Sequence, residues 1–280
     1  MVRYDPEATY EVEISDVEYR NAAGDGWLVR VCRPRGPGPF PALLYVHGGQ
    51  WSRNDRVGNP WVYEPLAASG IVVFSPDFRQ APRHPYPEPL EDINYATRWV
   101  KRHAAEFGAE AATLGGIGTS SGGHQTMLSA MRPHDPRYGA LPMPEAPDLD
   151  ASLRYVVACW SILDPYARYL FAQDTGRDDI VGATEGYFGS IDAMAEANPT
   201  EIVKQREPVQ LPPTIIIQGT ADLNVTPEIQ RGFASAYQAA GGACEVEVFE
   251  GMPHGTTQWP AEDAARALAK VKRFIARQLA

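Results

Sequence analysis

The sequence predicts an α/β fold: a mostly parallel, twisted sheet with helices on both faces and an inserted cap. Three observations lead there. Short apolar runs alternate with segments of helical periodicity from Ala42 to the end of the chain. Several runs, Leu43-Leu44, Ile71-Val72-Val73 and Ile215-Ile216-Ile217, are continuous rather than alternating, as in strands covered on both faces. The segments before Pro41 instead alternate apolar with polar residues, as an antiparallel edge does.

Taken in order, Tyr10 to Tyr19 alternates through Val12, Ile14 and Val17, and Trp27 to Val31 follows a Gly24-Asp25-Gly26 turn. Together they predict a hairpin at one sheet edge. Gly36 to Pro41 is a connector. Strands are then expected at Ala42 to Val46, Ile71 to Phe74, Ala112 to Ile117, Tyr155 to Trp160, Thr214 to Ile217 and Glu245 to Phe249. Between them, Leu90, Ile93, Thr97, Val100, Ala104 and Phe107 recur at helical spacing. Thr226-Pro227-Glu228 reads as a helix start with a capping hydroxyl, and Gly241-Gly242 as its stop. Ala264, Leu268, Val271 and Ile275 form the stripe of a last helix. Strand–helix alternation of this kind winds a sheet on both faces. Two stretches break the rhythm. The proline-rich segment Arg132 to Asp150 reads as a surface excursion, and Ser161 to Pro208 is too long for one crossover. Because the sheet resumes at Thr214, the second stretch reads as a cap at about 161–208 within a single domain, 1–280.

Composition narrows the function. The 280 residues carry 25 Lys+Arg against 35 Asp+Glu, a net charge of −10, so a nucleic-acid partner is not expected. No apolar run reaches the ~18 residues of a membrane span, and Asp5, Pro6 and Glu7 stand where a signal peptide would be apolar. No membrane partner is therefore expected. Three scattered cysteines, Cys32, Cys159 and Cys244, predict reduced thiols in a cytoplasmic protein. Neither H-E-x-x-H nor C-x-x-C spacing occurs, so neither a metal nor a cofactor is expected.

Gly118-Thr119-Ser120-Ser121-Gly122 fits G-x-S-x-G, directly after an expected strand and before a helix-like segment. Such a turn lifts the central serine to the top of the sheet. A serine hydroxyl needs a base to become a nucleophile. Of six histidines, His254 lies in a Gly/Pro loop past the last strand. His103 falls inside a helix, His84 and His134 in proline-rich loops, and His124 four residues past Ser120, where it packs. The base needs a carboxylate to fix its tautomer. Asp222, past the strand ending at Ile217, is preferred over Asp164, whose Asp-Pro pair also explains a turn. Developing charge on a substrate carbonyl needs pre-aimed N–H groups. His47-Gly48-Gly49-Gln50-Trp51, past another strand, allows close backbone approach, and the N–H of Ser121 is the second source.

These motifs resemble the α/β-hydrolases of the hormone-sensitive-lipase-like esterase group. The segment from Asp77 to Asp92 (DFRQAPRHPYPEPLED) is similar to that group's YRLAPEHPFPAALED loop, and the likeness runs over almost the whole chain. The resemblance implies Ser120 as nucleophile, His254 as base and Asp222 as acid. It implies Gly49, Gln50 and Ser121 as oxyanion-hole donors, with His47 and Gly48 shaping the loop. Two positions depart from the pattern: Gln50 replaces the last glycine of H-G-G-G, and Ser121 stands where alanine is usual. His-Gly-Gly-x-Trp instead resembles aryl formamidases such as kynurenine formamidase.

The expected function is hydrolysis of a small carboxylic ester through an acyl-enzyme, with arylformamide or other amide cleavage as the alternative substrate class. Lyase chemistry on the same triad, and a non-catalytic ligand-binding protein on this fold, remain open. So does a homodimer. Trp51, Trp61, Tyr63, Tyr166, Tyr169, Tyr187 and Phe188 are expected to roof a closed substrate pocket. Such a pocket would favour acyl groups of about two to six carbons.

Overall fold

The computed structural model describes residues 4–22 and 25–280. Its centre is one eight-stranded sheet in the spatial order β1-β2-β4-β3-β5-β6-β7-β8. In chain order the strands are β1 (Val12–Ala22), β2 (Asp25–Pro34), β3 (Phe40–Val46), β4 (Val72–Pro76), β5 (Ala109–Thr119), β6 (Val156–Cys159), β7 (Thr214–Gly219) and β8 (Cys244–Phe249). The β1–β2 hairpin sits at one edge with Val17 opposite Val29, and β2 also runs antiparallel to β4. Every pairing from β4 through β8 is parallel. The sheet is thus mostly parallel, as the continuous apolar runs require. Of the expected hairpin turn, Gly24 lies outside the described residues.

Side-chain alternation explains those runs. Leu43, Tyr45, Val73, Ile117, Val157, Ile215 and Ile217 enter one buried cluster. Ala42, Leu44, Val46, Val72, Phe74, Val156, Ala158 and Ile216 enter another. Successive residues of a strand point to opposite faces, so a strand covered twice is apolar throughout.

The helices are α1 (Pro60–Ala67), α2 (Glu88–His103), α3 (Ser121–Met131), α4 (Pro165–Asp174), α5 (Asp178–Phe188), α6 (Ile191–Glu196), α7 (Pro199–Lys204), α8 (Pro227–Ala239) and α9 (Ala261–Leu279). α1 and α9 cover the face of the Leu43 cluster, and α2, α3 and α8 cover the other. The stripe read from Leu90 to Phe107 is α2 followed by a 3₁₀ turn, Ala104–Phe107. Pro227 opens α8 as expected, but the Thr226 side chain makes no capping hydrogen bond. The stretch that follows the glycine loop becomes helical at Pro60. Between β6 and β7 the insertion consists of α4 to α7, and α7 packs on both α3 and α8. The Pro-rich stretch before β6 has no helix or strand, yet Tyr138 and Met143 within it are buried. Among the described residues, no helix is long and apolar enough to cross a membrane.

Candidate active site

In a parallel sheet the C-terminal ends of the strands share one edge, so the loops after β3, β5, β7 and β8 converge. Ser120 joins β5 to α3 with φ 51° and ψ −120°, a conformation that costs a non-glycine residue strain. Its backbone is fixed on both sides: its N–H donates to the Cys159 carbonyl (2.9 Å), and its carbonyl accepts from Ile162 (3.1 Å). The flanking glycines are demanded by contact. A Cβ on Gly118 would lie 2.6 Å from the Gly123 backbone, and one on Gly122 would strike the carbonyl oxygens of Val46 and His47. The motif is therefore a tight crossing of strand, turn and helix.

His254 Nε2 is 3.1 Å from Ser120 Oγ, and His254 Nδ1 is 2.7 Å from Asp222 Oδ2. With the ring proton on Nδ1 facing the carboxylate, Nε2 accepts from the serine hydroxyl. The Asp222 side chain is fully buried and saturated. Oδ1 accepts from the N–H groups of Asn224 and Val225 (both 2.8 Å), and Oδ2 accepts from Gln218 Nε2 (3.1 Å) as well as His254. The loops carrying Asp222 and His254 are laced together: Ala221 N–H donates to the Met252 carbonyl (3.0 Å), and Gly251 N–H donates to Thr220 Oγ1 (2.7 Å). Such an arrangement can take a proton from the serine hydroxyl and return it to a leaving group. Asp164, the other candidate, is the N-cap of α4, accepting from Ala167 N–H (3.0 Å) and Asn198 Nδ2 (2.8 Å).

The remaining histidines serve packing or surface pairs. His124 is fully buried, accepts from Trp51 Nε1 (3.3 Å) and donates through Nε2 to the Ala197 carbonyl (2.8 Å). His84 and His103 pair with Glu88 and Glu106 (2.8 Å each).

Ser120 and His254 face a cavity of about 250 Å³, whose other wall is the glycine loop with Gly48, Gly49 and Gln50. Gly49 is held at φ 132°, which glycine adopts freely. Gly48 N–H donates to Thr119 Oγ1 (2.9 Å), and Asn54 Nδ2 donates to the Gly48 carbonyl (2.8 Å). Among the described residues, the N–H groups of Gly49, Gln50 and Ser121 donate to no protein acceptor. Ser121 also does more than the sequence suggests. Its buried Oγ accepts the N–H of Trp51 (3.1 Å), tying the glycine loop to the start of α3.

The expected roof is corrected. Of its seven aromatics only Trp61 lines this cavity. Trp51 is buried and stacks on Tyr187 (centroids 4.8 Å, 10° apart), with Phe188 edge-on beside it. Tyr63 is buried against Tyr45, and Tyr169 hydrogen-bonds Glu185 (2.7 Å). Tyr166 is exposed and lines no part of it. Trp51, Tyr63, Tyr187 and Phe188 instead pack the insertion and α1 onto the body of the molecule.

Three residues the sequence did not single out shape the site. Trp160, at the end of β6, lines the cavity with its ring 6.5 Å from that of His254. Asn224 lines it too, and its side-chain oxygen accepts from Arg168 Nη2 (2.7 Å) of α4. Arg168 is fully buried, stands over the Trp51 ring (5.7 Å), and its pKa is lowered to about 10 by burial. It thereby joins the insertion to both the acid loop and the glycine loop. Nothing local marks an arginine in a helix for this role, because its partners are 56 residues away.

The BD-FAE family model matches residues 32–236. Esterase LipC of Mycobacterium tuberculosis is 28% identical over 209 residues, covering 72% of this chain and 49% of LipC. The chain thus spans about half the length of that relative. Carboxylesterase NlhH, also of M. tuberculosis, is 29% identical over 250 residues, covering 84% of this chain and 74% of NlhH. Among solved structures, Thermogutta terrifontis esterase 2 phosphonylated by sarin superposes with a TM-score of 0.74 at 22% identity, covering 97% of this chain and 96% of that one. The fold is the α/β-hydrolase fold, the chain belongs to the BD-FAE family, and it is an α/β-hydrolase of the hormone-sensitive-lipase-like group.

Proposed function

We propose that the protein is a serine hydrolase that cleaves carboxylic esters through an acyl-enzyme on Ser120. The observation that carries this is the hydrogen-bonded chain from Ser120 through His254 to Asp222, opening on a cavity beside unpaired backbone N–H groups. Ser120 Oγ attacks the ester carbonyl carbon while His254 Nε2 takes its proton. The N–H groups of Gly49, Gln50 and Ser121 stabilise the resulting oxyanion. The carbon–oxygen bond to the alcohol then breaks, and Nε2 returns the proton to the departing oxygen. Water, deprotonated by the same nitrogen, releases the acid. Asp222 stays ionised throughout and stabilises the imidazolium. The named esterases and carboxylesterases among the relatives support the ester as substrate class. The three cysteines are free and buried, which supports a reducing, cytoplasmic setting.

The test sets methyl and p-nitrophenyl acetate beside N-formylkynurenine. Expected is a kcat/KM for the acetates at least about 100-fold above that for the formamide, because Trp51 of the formamidase-like loop is used in packing. The reverse order would make the protein a formamide hydrolase on the same residues. Turnover of neither, with the purified chain folded, would return the non-catalytic reading.

A further inference from the structure

Beside the cavity at Ser120 lies a second one of about 390 Å³, set between α1 and α9 against the sheet. Val62 and Leu66 of α1, Leu268 and Val271 of α9, and Ile117 and Ile217 of the sheet make its walls apolar. It is not a sealed void: it is partly open to solvent, so an apolar ligand group can enter it. It borders the reaction site: Trp61, Trp160 and Thr257 line both cavities. Trp160 stands at this threshold with φ 40°, a strained conformation for a tryptophan. Strain held at a position that walls both spaces is a cost that tight packing alone does not explain.

We infer that this chamber binds the apolar group of the substrate's leaving alcohol, a linear alkyl or aromatic group. The inference rests on the ester-hydrolase reading and specifies its substrate. The side is set by proton transfer. His254 must protonate the departing oxygen, so the alcohol lies on the His254 side of the tetrahedral carbon. The threshold is on that side: Thr257 follows His254 closely in sequence, and the Trp160 ring meets the His254 ring edge-on. The acyl group is left with the polar wall of the first cavity, where Arg53, Asn54 and Asn224 stand. Long acyl chains find there little apolar side chain beyond Trp61 and Trp160, which also wall the second cavity.

Two ester series separate these assignments. In alkyl acetates, from methyl to octyl, only the alcohol grows, and every member forms the same acetyl-enzyme, so kcat/KM reports acylation. In methyl esters, from acetate to octanoate, only the acyl group grows. For the wild type the hexyl-to-methyl acetate ratio of kcat/KM is expected to exceed about tenfold, since each buried methylene can bring up to roughly fourfold. The methyl-ester series should stay within about threefold. Ala264→Phe and Ala265→Trp, on the chamber side of α9, should cut the hexyl-to-methyl ratio by about tenfold. Leu268→Ala, which enlarges the chamber, should raise the octyl-to-hexyl ratio by about threefold. Ratios within one variant are insensitive to partial loss of folded protein. If the filling variants leave the acetate ratio intact, or flatten the methyl-ester series instead, the inference is overturned while esterase activity stands. If the wild type turns over no member of either series, the ester-hydrolase reading itself has failed.

Discussion

At Ser120 the chain spends backbone strain to present one hydroxyl, and His254 and Asp222 meet it from two other strand ends. Ser120→Ala is therefore expected to lower kcat by on the order of 10⁶-fold, the loss seen when a serine protease loses its nucleophile, with the thermal melt retained. Asp222→Asn should cost about 10⁴-fold, because the imidazole then faces an amide that favours the wrong tautomer. A tenth of wild-type activity in either variant would remove that residue from the reaction. Ser121→Ala isolates a different term. It leaves the buried N–H of Trp51 without its acceptor, a loss of about 1–3 kcal/mol that falls on the glycine loop. We expect kcat to fall about 10- to 100-fold with KM changed less than threefold, because the oxyanion donors act in the transition state. A fall in KM-dependent binding alone would show that the loop holds its shape without this bond.

Among the elements, α3 shows how burial is used for positioning. All its residues from Ser121 to Met131 are buried, including His124, whose two ring nitrogens join the glycine loop to the insertion. Burial lowers the His124 pKa from 6.5 to about 4. The unfolded chain, near 6.5, takes up this proton first as pH falls, so stability is full above about 6.5 and is lost progressively down to about 4. The loss at pH 4.5 should be about 2–3 kcal/mol. Urea unfolding at pH 7.5 and 4.5 measures it, and His124→Gln should lose less than the wild type by that amount. Equal losses in both proteins would remove His124 as the source. The same burial explains what could and could not be read from sequence. Strands such as Ile215-Ile216-Ile217 were legible because both faces are covered. α3 has no exposed face, and buries Ser121, His124, Gln125, Thr126 and Ser129 beside its apolar residues, so it shows no apolar stripe; α1 is eight residues with Pro60 and Pro65 in it, so it shows no helical period.

Over the whole molecule, the convergence of Ser120, His254 and Asp222 was legible because each sits in a short glycine-marked loop directly past a strand, and strand ends of a parallel sheet share an edge. The pocket was not. Which face of Tyr187 or Trp51 meets substrate depends on how α4 to α7 dock, and those contacts join residues far apart in sequence. Aromatic composition signalled a buried insertion and was silent on what it covers. Arg168, reaching from α4 to Asn224 and over Trp51, belongs to the same class of long-range information.

If Ser120 carries the acyl intermediate, covalent titration with paraoxon reads it directly. One p-nitrophenol per chain should be released, activity on p-nitrophenyl acetate should fall in proportion, and peptide mass spectrometry should find the phosphoryl group on Ser120. Ser120→Ala should release none. An adduct on another residue, or esterase activity that persists in chains fully modified at Ser120, would contradict it.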